Sequence, residues 1–199
     1  MISLKRLLTI GMTLLAAVVF GGATPPVDED PSFPMSMLNA HTQEAYGELT
    51  DGGQGLVNLA WTEIQANAPA QFQATELERF VNAVHEFEED MPDSVLFDSR
   101  PRRARMVKST SMSVGWTSAI TGTYLTNEQL IVRVYVTGNR PYGGSSNVCE
   151  DCTLVYTGVS APPNQPGHYS AVGNHEALDP RGYGNSYDEL DIYPEEDDD

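Results

Sequence analysis

The apolar residues change period at Pro92, and that switch limits the folds open to this chain. Before it, Leu77, Phe80, Val81, Val84 and Phe87 recur at helical spacing, and Thr75 with Glu78 forms a capping-box pattern that predicts a helix over 75–88. An earlier helix is predicted after the glycine-rich DGGQG, with Leu56, Leu59, Ala60 and Ile64 on one stripe and Ala-Asn-Ala-Pro at 66–69 as its end. After Pro92 the period drops to two. SVLF reads as a short strand, and Leu130, Val132, Val134 and Val136 alternate with Ile131, Arg133 and Tyr135 in the clearest strand of the chain. CTLVYTGV at 152–159 reads as another. Helices first and strands afterwards predict an α+β fold, with N-terminal helices followed by a mostly antiparallel sheet or two packed sheets.

Lys5 and Arg6, the apolar run from Leu7 to Phe20 and the small residues Gly21, Gly22 and Ala23 have the layout of an export signal cleaved near Ala23. The run is shorter than the ~20 residues of a membrane span, and Pro25 and Pro26 follow it. The expectation is a secreted protein with no span after signal removal. The chain carries a formal charge of −17, and loss of Lys5 and Arg6 takes it to −19. Such a surface repels nucleic acid.

The segment 24–42 is rich in proline and acid and reads as a flexible leader; 43–178 reads as one globular domain, and 179–199 as an acidic disordered tail. A monomer is expected. The two cysteines, Cys149 and Cys152, form a lone C-x-x-C, read as a local disulfide or two structural thiols. His41, His85, His168 and His175 show no paired ligand spacing, so no metal is expected. GNHE at 173–176 occurs in binuclear metallophosphatases but lacks their upstream motifs, and reads as a polar loop. Arg102 to Arg105 spell RRAR, which fits either a furin-like processing site or an exposed basic loop able to contact a phosphate-bearing ligand.

Between the helical half and the long strand lies MVKSTSMSVGWTSAITGTYLT, with Ser109, Thr110 and Ser111 at its centre. In order, the helix at 75–88, MPDSVLF, KSTSMS, LIVRVYVTGN and NVCEDCTLVY resemble the ADP-ribosyltransferase fold of secreted toxins and ectoenzymes. The resemblance runs from about Leu77 to Val159. It implies NAD as substrate, an arginine on its phosphates, Ser109, Thr110 and Ser111 shaping the nicotinamide pocket, and Glu150 as the first residue of the Glu-x-Glu turn. Asp98 stands where the family has its arginine, leaving Arg100 as the nearest candidate; Cys152 stands at the second glutamate, which implies impaired transfer. The implied role is a toxin-like virulence or host-interaction factor. A second segment set, DGGQGLVNLAW, Trp116 and GHYSAV, resembles ovarian-tumour-type cysteine proteases, with Gln54 in place of the nucleophile and His168 in the histidine motif. A secreted binding protein without chemistry of its own is the third reading.

Overall fold

The computed structural model describes residues 34–91 and 103–194. The expected export signal, the SVLF strand, Asp98, Arg100 and Arg102 lie outside them. A short 3-10 turn, Met35–Met37, leads into three helices, α1 (Ala40–Glu48), α2 (Asp51–Asn67) and α3 (Ala70–Glu89), and then five strands, β1 (Met106–Ser113), β2 (Trp116–Thr137), β3 (Pro141–Val159), β4 (Gly167–Leu178) and β5 (Gly182–Ile192). No helix among the described residues is long and apolar enough to cross a membrane.

The helices start where side chains satisfy their free N–H groups. Asn39 accepts from the Thr42 amide at 2.9 Å and Thr50 from the Gly53 amide at 3.1 Å. The capping box expected at Thr75 and Glu78 is not used, because α3 begins five residues earlier behind Pro69. Glu78 instead accepts from the backbone N–H of Asn39 at 2.7 Å, tying α3 to the start of α1. The predicted stripe is otherwise as read: Leu77, Phe80, Val81 and Val84 are wholly buried, and Phe87 stacks on Tyr124 with ring centroids 5.9 Å apart. On α2, Leu56, Ala60 and Ile64 are buried, while Leu59 is exposed. Gly53 sits inside α2 rather than before it, and a glycine fits there because a Cβ would collide with the carboxylate of Glu88. That carboxylate accepts from the Thr50 amide at 2.8 Å and from the Tyr124 hydroxyl at 2.7 Å, joining α2, α3 and β2.

All five strands belong to one antiparallel sheet. The length of β2 organises it. Along one edge β2 pairs first with β1 (Met106↔Thr123 to Ser113↔Trp116) and then with β4 (Gln129↔Leu178 to Thr137↔Ser170); along the other it pairs with β3, and β5 pairs with β4. Between Gly122, opposite Leu154, and Asn127, opposite Cys152, the register breaks. Four residues of β2 there face one of β3, a bulge that bends the ribbon. The Asn127 side-chain amide closes the bend by donating to Thr123 Oγ1 at 2.9 Å and to the Leu125 carbonyl at 2.8 Å. Directly opposite, Cys149 and Cys152 are joined in a disulfide around Asp151, whose φ is +51°.

The bend divides the sheet into a front half (β1, the first part of β2, the last part of β3) and a back half (the rest of β2 and β3, with β4 and β5). The halves curl towards each other. Along one seam Thr157 Oγ1 donates to Ser145 Oγ at 2.8 Å and Asn147 Nδ2 to the Tyr156 carbonyl at 2.9 Å. Along the other, the Ala104 amide donates to the Arg181 carbonyl at 2.9 Å and the Met112 amide to Asp188 Oδ2 at 2.7 Å. Arg79 of α3 pairs with the same Asp188 oxygen at 2.8 Å. The helices cover only the front half, where Val107, Ile120, Leu154 and Tyr156 join their core. Between the halves lies a second core that includes Leu130, Val132, Val134, Ala119 and Val155.

This architecture corrects the α+β expectation. Strand accounts for 48% of the structure, in one curled sheet that the helices precede and cover on one side. Two segments without a clear apolar alternation supply the excess strand. The polar stretch around Ser109 is β1 and the start of β2, and the expected acidic tail contributes β5 as far as Ile192. Many of their inward positions carry small or polar residues, Gly182, Gly184, Ser186, Thr110 and Thr121 among them, so the period-two hydrophobic signal is weak. GNHE is likewise part of β4 and not a loop. At the other end, the expected leader is already packed at Leu38, which is buried, and α1 begins at Ala40.

Candidate functional site

Four polar residues of the interior, Thr121, His175, Ser186 and Thr110, form one chain between the two halves. His175 of β4 is fully buried. Its Nδ1 lies 2.7 Å from Thr121 Oγ1 of the front half and its Nε2 lies 2.7 Å from Ser186 Oγ of β5, which in turn is 2.5 Å from Thr110 Oγ1 of β1. Hydroxyls donate or accept, so a neutral imidazole is satisfied on both sides in either tautomer. Burial, reinforced by the nearby Lys108 ammonium, pushes the His175 pKa down to about 3. Gly173 makes the room: a Cβ there would collide with the Thr110 hydroxyl, His175 Nε2 and Ser186 Oγ. The Ser186–His175 distance is that of a nucleophile and its base. However, the third member is a threonine hydroxyl rather than a carboxylate, and the imidazole has no open side, so the chain acts as an internal clamp.

A second buried group ties α3 to the sheet. Glu76 accepts from Trp116 Nε1 at 2.5 Å and from the Tyr156 hydroxyl at 2.9 Å. Burial raises its pKa above the ordinary carboxylate range, against the opposing effect of hydrogen bonds from Tyr156, Ser118 and Trp116. Neither Glu76 nor Ser186 stands out in the sequence, since a lone Glu on a helix and a Ser in a polar tail are normally solvated.

The residues expected to form a transferase cleft are placed apart. Ser109 and Ser111 are buried and share the helix-covered face of β1 with Val107, and Thr110 points inward to Ser186. Their partners on β2 are Ile120, Ala119 and Ser118. Glu150 is exposed and lies opposite Gln129, beyond the bend in β2 and on the outer face of the back half. Gln54, at the position of the protease-like nucleophile, directs its amide to the carbonyls of Tyr46 and Leu49 at the end of α1, 3.4 Å from each. His168 is exposed at the start of β4, 2.8 Å from Asp191, whose hydrogen bond and charge raise its pKa. No group of three or more His, Cys, Asp or Glu side chains able to hold a metal occurs among the described residues.

One open cleft combines charge with an aromatic wall. It has a volume of about 510 Å³ and lies at the β1–β5 seam, lined by Arg103, Ala104, Glu176, Arg181 and Tyr183 among others. The Ala104–Arg181 backbone hydrogen bond forms its floor. Of the described arginines, Arg79 and Arg133 are ion-paired, with Asp188 and Glu176 respectively, and Arg140 lies over the Tyr142 ring. Arg103 and Arg181 make no ion pair among the described residues, and both line this cleft. The basic run in the sequence signals Arg103; Arg181, in the segment read as a tail, carries no signal until β5 folds back beside β1.

Compared with protein-family models and with curated proteins, the chain matches none.

Proposed function

We propose that this protein is exported and binds a phosphate-bearing ligand, NAD or a related dinucleotide, without transferring it, as a host-interaction factor of toxin-like ancestry. The observation that carries this reading is the pair Arg103 and Arg181 on one cleft of a chain whose charge is −17. Guanidinium groups bind phosphate through forked N–H donors, and two converging on one cavity select a ligand of at least one negative charge. Tyr183, 70% exposed on the cleft wall, offers a ring face to a base. Transfer would further require a carboxylate fixed beside the ribose in a pocket that excludes water. Glu176 lines the cleft but is engaged by Arg133 at 3.5 Å, and the Ser109–Ser111 hydroxyls are buried in the fold.

Calorimetric titration of the full chain with NAD, ADP-ribose and inorganic phosphate tests the proposal. Saturable binding of NAD or ADP-ribose, weakened at least about tenfold by Arg181→Glu or Arg103→Glu at an unchanged unfolding midpoint, is the expected result. Absence of binding by all three ligands overturns it. So does binding that is indifferent to both arginines.

A further inference from the structure

Among the described residues no helix lies over the outer face of the back half, and its surface follows from the strand register. Directly opposed residues of antiparallel strands share a face. Tyr135 of β2 faces Val172 of β4, which faces Tyr187 of β5; Arg133 faces Asn174, which faces Asn185; Glu176 faces Tyr183. Three tyrosines stand out on this surface, Tyr135 at 45%, Tyr187 at 66% and Tyr183 at 70% exposure. Between the ring positions runs a polar row, Arg133, Asn174 and Asn185. Two inter-strand spacings, with β4 between, separate Tyr135 from Tyr187, a distance of about 10 Å, and four residue steps along β5 separate Tyr183 from Tyr187, about 13 Å.

Charge selects the occupant. From Glu150 at one margin to Glu189 at the other, the described residues of this face carry a single ion pair, Arg133–Glu176 at 3.5 Å, and otherwise no charge. Acidic margins in an acidic chain repel polyanions, and a cationic partner finds no unpaired carboxylate at the centre. The centre is also unlike a protein interface, which gathers apolar groups in the middle and polar groups at the rim. Here a polar row, Arg133, Asn174 and Asn185, runs across the middle, between the row of Tyr135, Val172 and Tyr187 and the row of Val148, Ile131, Glu176 and Tyr183. That order suits a ligand with apolar ring faces and a hydroxylated edge. The Asn185 side-chain amide, which donates to the Tyr187 hydroxyl at 3.1 Å, holds one ring beside the polar row.

We propose that this face binds a neutral, extended polysaccharide, with Tyr135 and Tyr187 stacking on sugar rings across Val172, and with Arg133, Asn174 and Asn185 in the adjacent row hydrogen-bonding to hydroxyls along one edge of the bound chain. Straight β-1,4-linked chains repeat every two sugars at close to the Tyr135–Tyr187 spacing, so cellulose and chitin are the probes. The face shares Tyr183 and Glu176 with the arginine cleft, but the stacking residues Tyr135 and Tyr187 do not line it.

The test is retention of the full chain on microcrystalline cellulose and on chitin, with heparin beads as the anionic comparison. Retention on at least one neutral polymer is expected, little changed by salt and absent on heparin. Tyr135→Ala and Tyr187→Ala should each weaken it about fivefold, and Tyr187→Phe should retain most of it, because stacking needs the ring and not the hydroxyl. Both tyrosines are exposed, so an unchanged denaturant midpoint accompanies the loss. No retention on either polymer overturns the proposal, as does retention that survives the double alanine variant or is matched by heparin. Concentration-dependent dimerisation abolished by the same variants would assign the face to a second copy instead.

Discussion

The two halves of the sheet share strands β2 and β3 yet meet opposite surroundings. On the front half α3 lays Leu77, Phe80, Val81 and Val84 against Val107, Ile120 and Tyr156, and the sheet face there is fully covered. On the back half the same ribbon turns its outer side to solvent, showing Tyr135, Tyr183 and Tyr187. The difference assigns labour. Coverage by helices supplies stability in front, and the bare face and the arginine cleft at its edge are left for recognition. Residues of the front half should therefore be sensitive to truncation and those of the outer back face indifferent, unless a ligand is the readout.

The largest effect expected on this comparison is Phe80→Ala, which removes a wholly buried ring and should cost about 3 to 5 kcal/mol in denaturant unfolding. An unchanged midpoint would dissolve the distinction between the halves.

The interior clamp joins them, and acid should loosen it. The folded His175 pKa, near 3, lies below the ordinary value of 6.5. The neutral form is favoured on folding, so this contribution is fully present above pH 6.5 and is lost as pH falls towards 3. By pH 5 the loss should be about 2 kcal/mol. Chemical denaturation at pH 8 and pH 5 measures it, and His175→Gln should remove that part of the pH dependence. Glu76 acts in the opposite sense. Its raised folded pKa favours the protonated acid, so its contribution falls as pH rises from 4.5 through the folded value. The Glu76→Gln variant separates the two slopes.

A smaller effect is expected at the β1–β5 seam, where Asp188→Asn weakens one acceptor shared by the Met112 amide and Arg79. About 1 kcal/mol is expected, with the loss concentrated in hydrogen-exchange protection of β5 rather than of α3. Equal loss of protection in both would mean that β5 unfolds only with the whole domain.

The smallest is Tyr187→Ala, within about 0.5 kcal/mol of the parent stability. Cys152→Glu sharpens the functional side of the contrast. A carboxylate at that position would stand on β3 at the bend, away from the arginine cleft, so a nicotinamide-release assay should show no gain. A gain would restore the transferase-like arrangement.

The sequence alone determined those elements whose burial is written in apolar side chains. The stripe of α3 and the alternation at 130–136 are legible because a helix or strand that buries one face against hydrocarbon must repeat at 3.6 or 2 residues. The bend in β2, the burial of the polar side chains of 106–123, the strand character of 182–192, and the pairing of Arg103 with Arg181 were decided only in three dimensions. There the inward positions are glycine, serine, threonine and histidine, whose burial is offset by hydrogen bonds to partners as distant as Thr110 and Ser186. Such partners are invisible until the chain has folded, because a hydroxyl looks the same in sequence whether it bonds to water or to another strand.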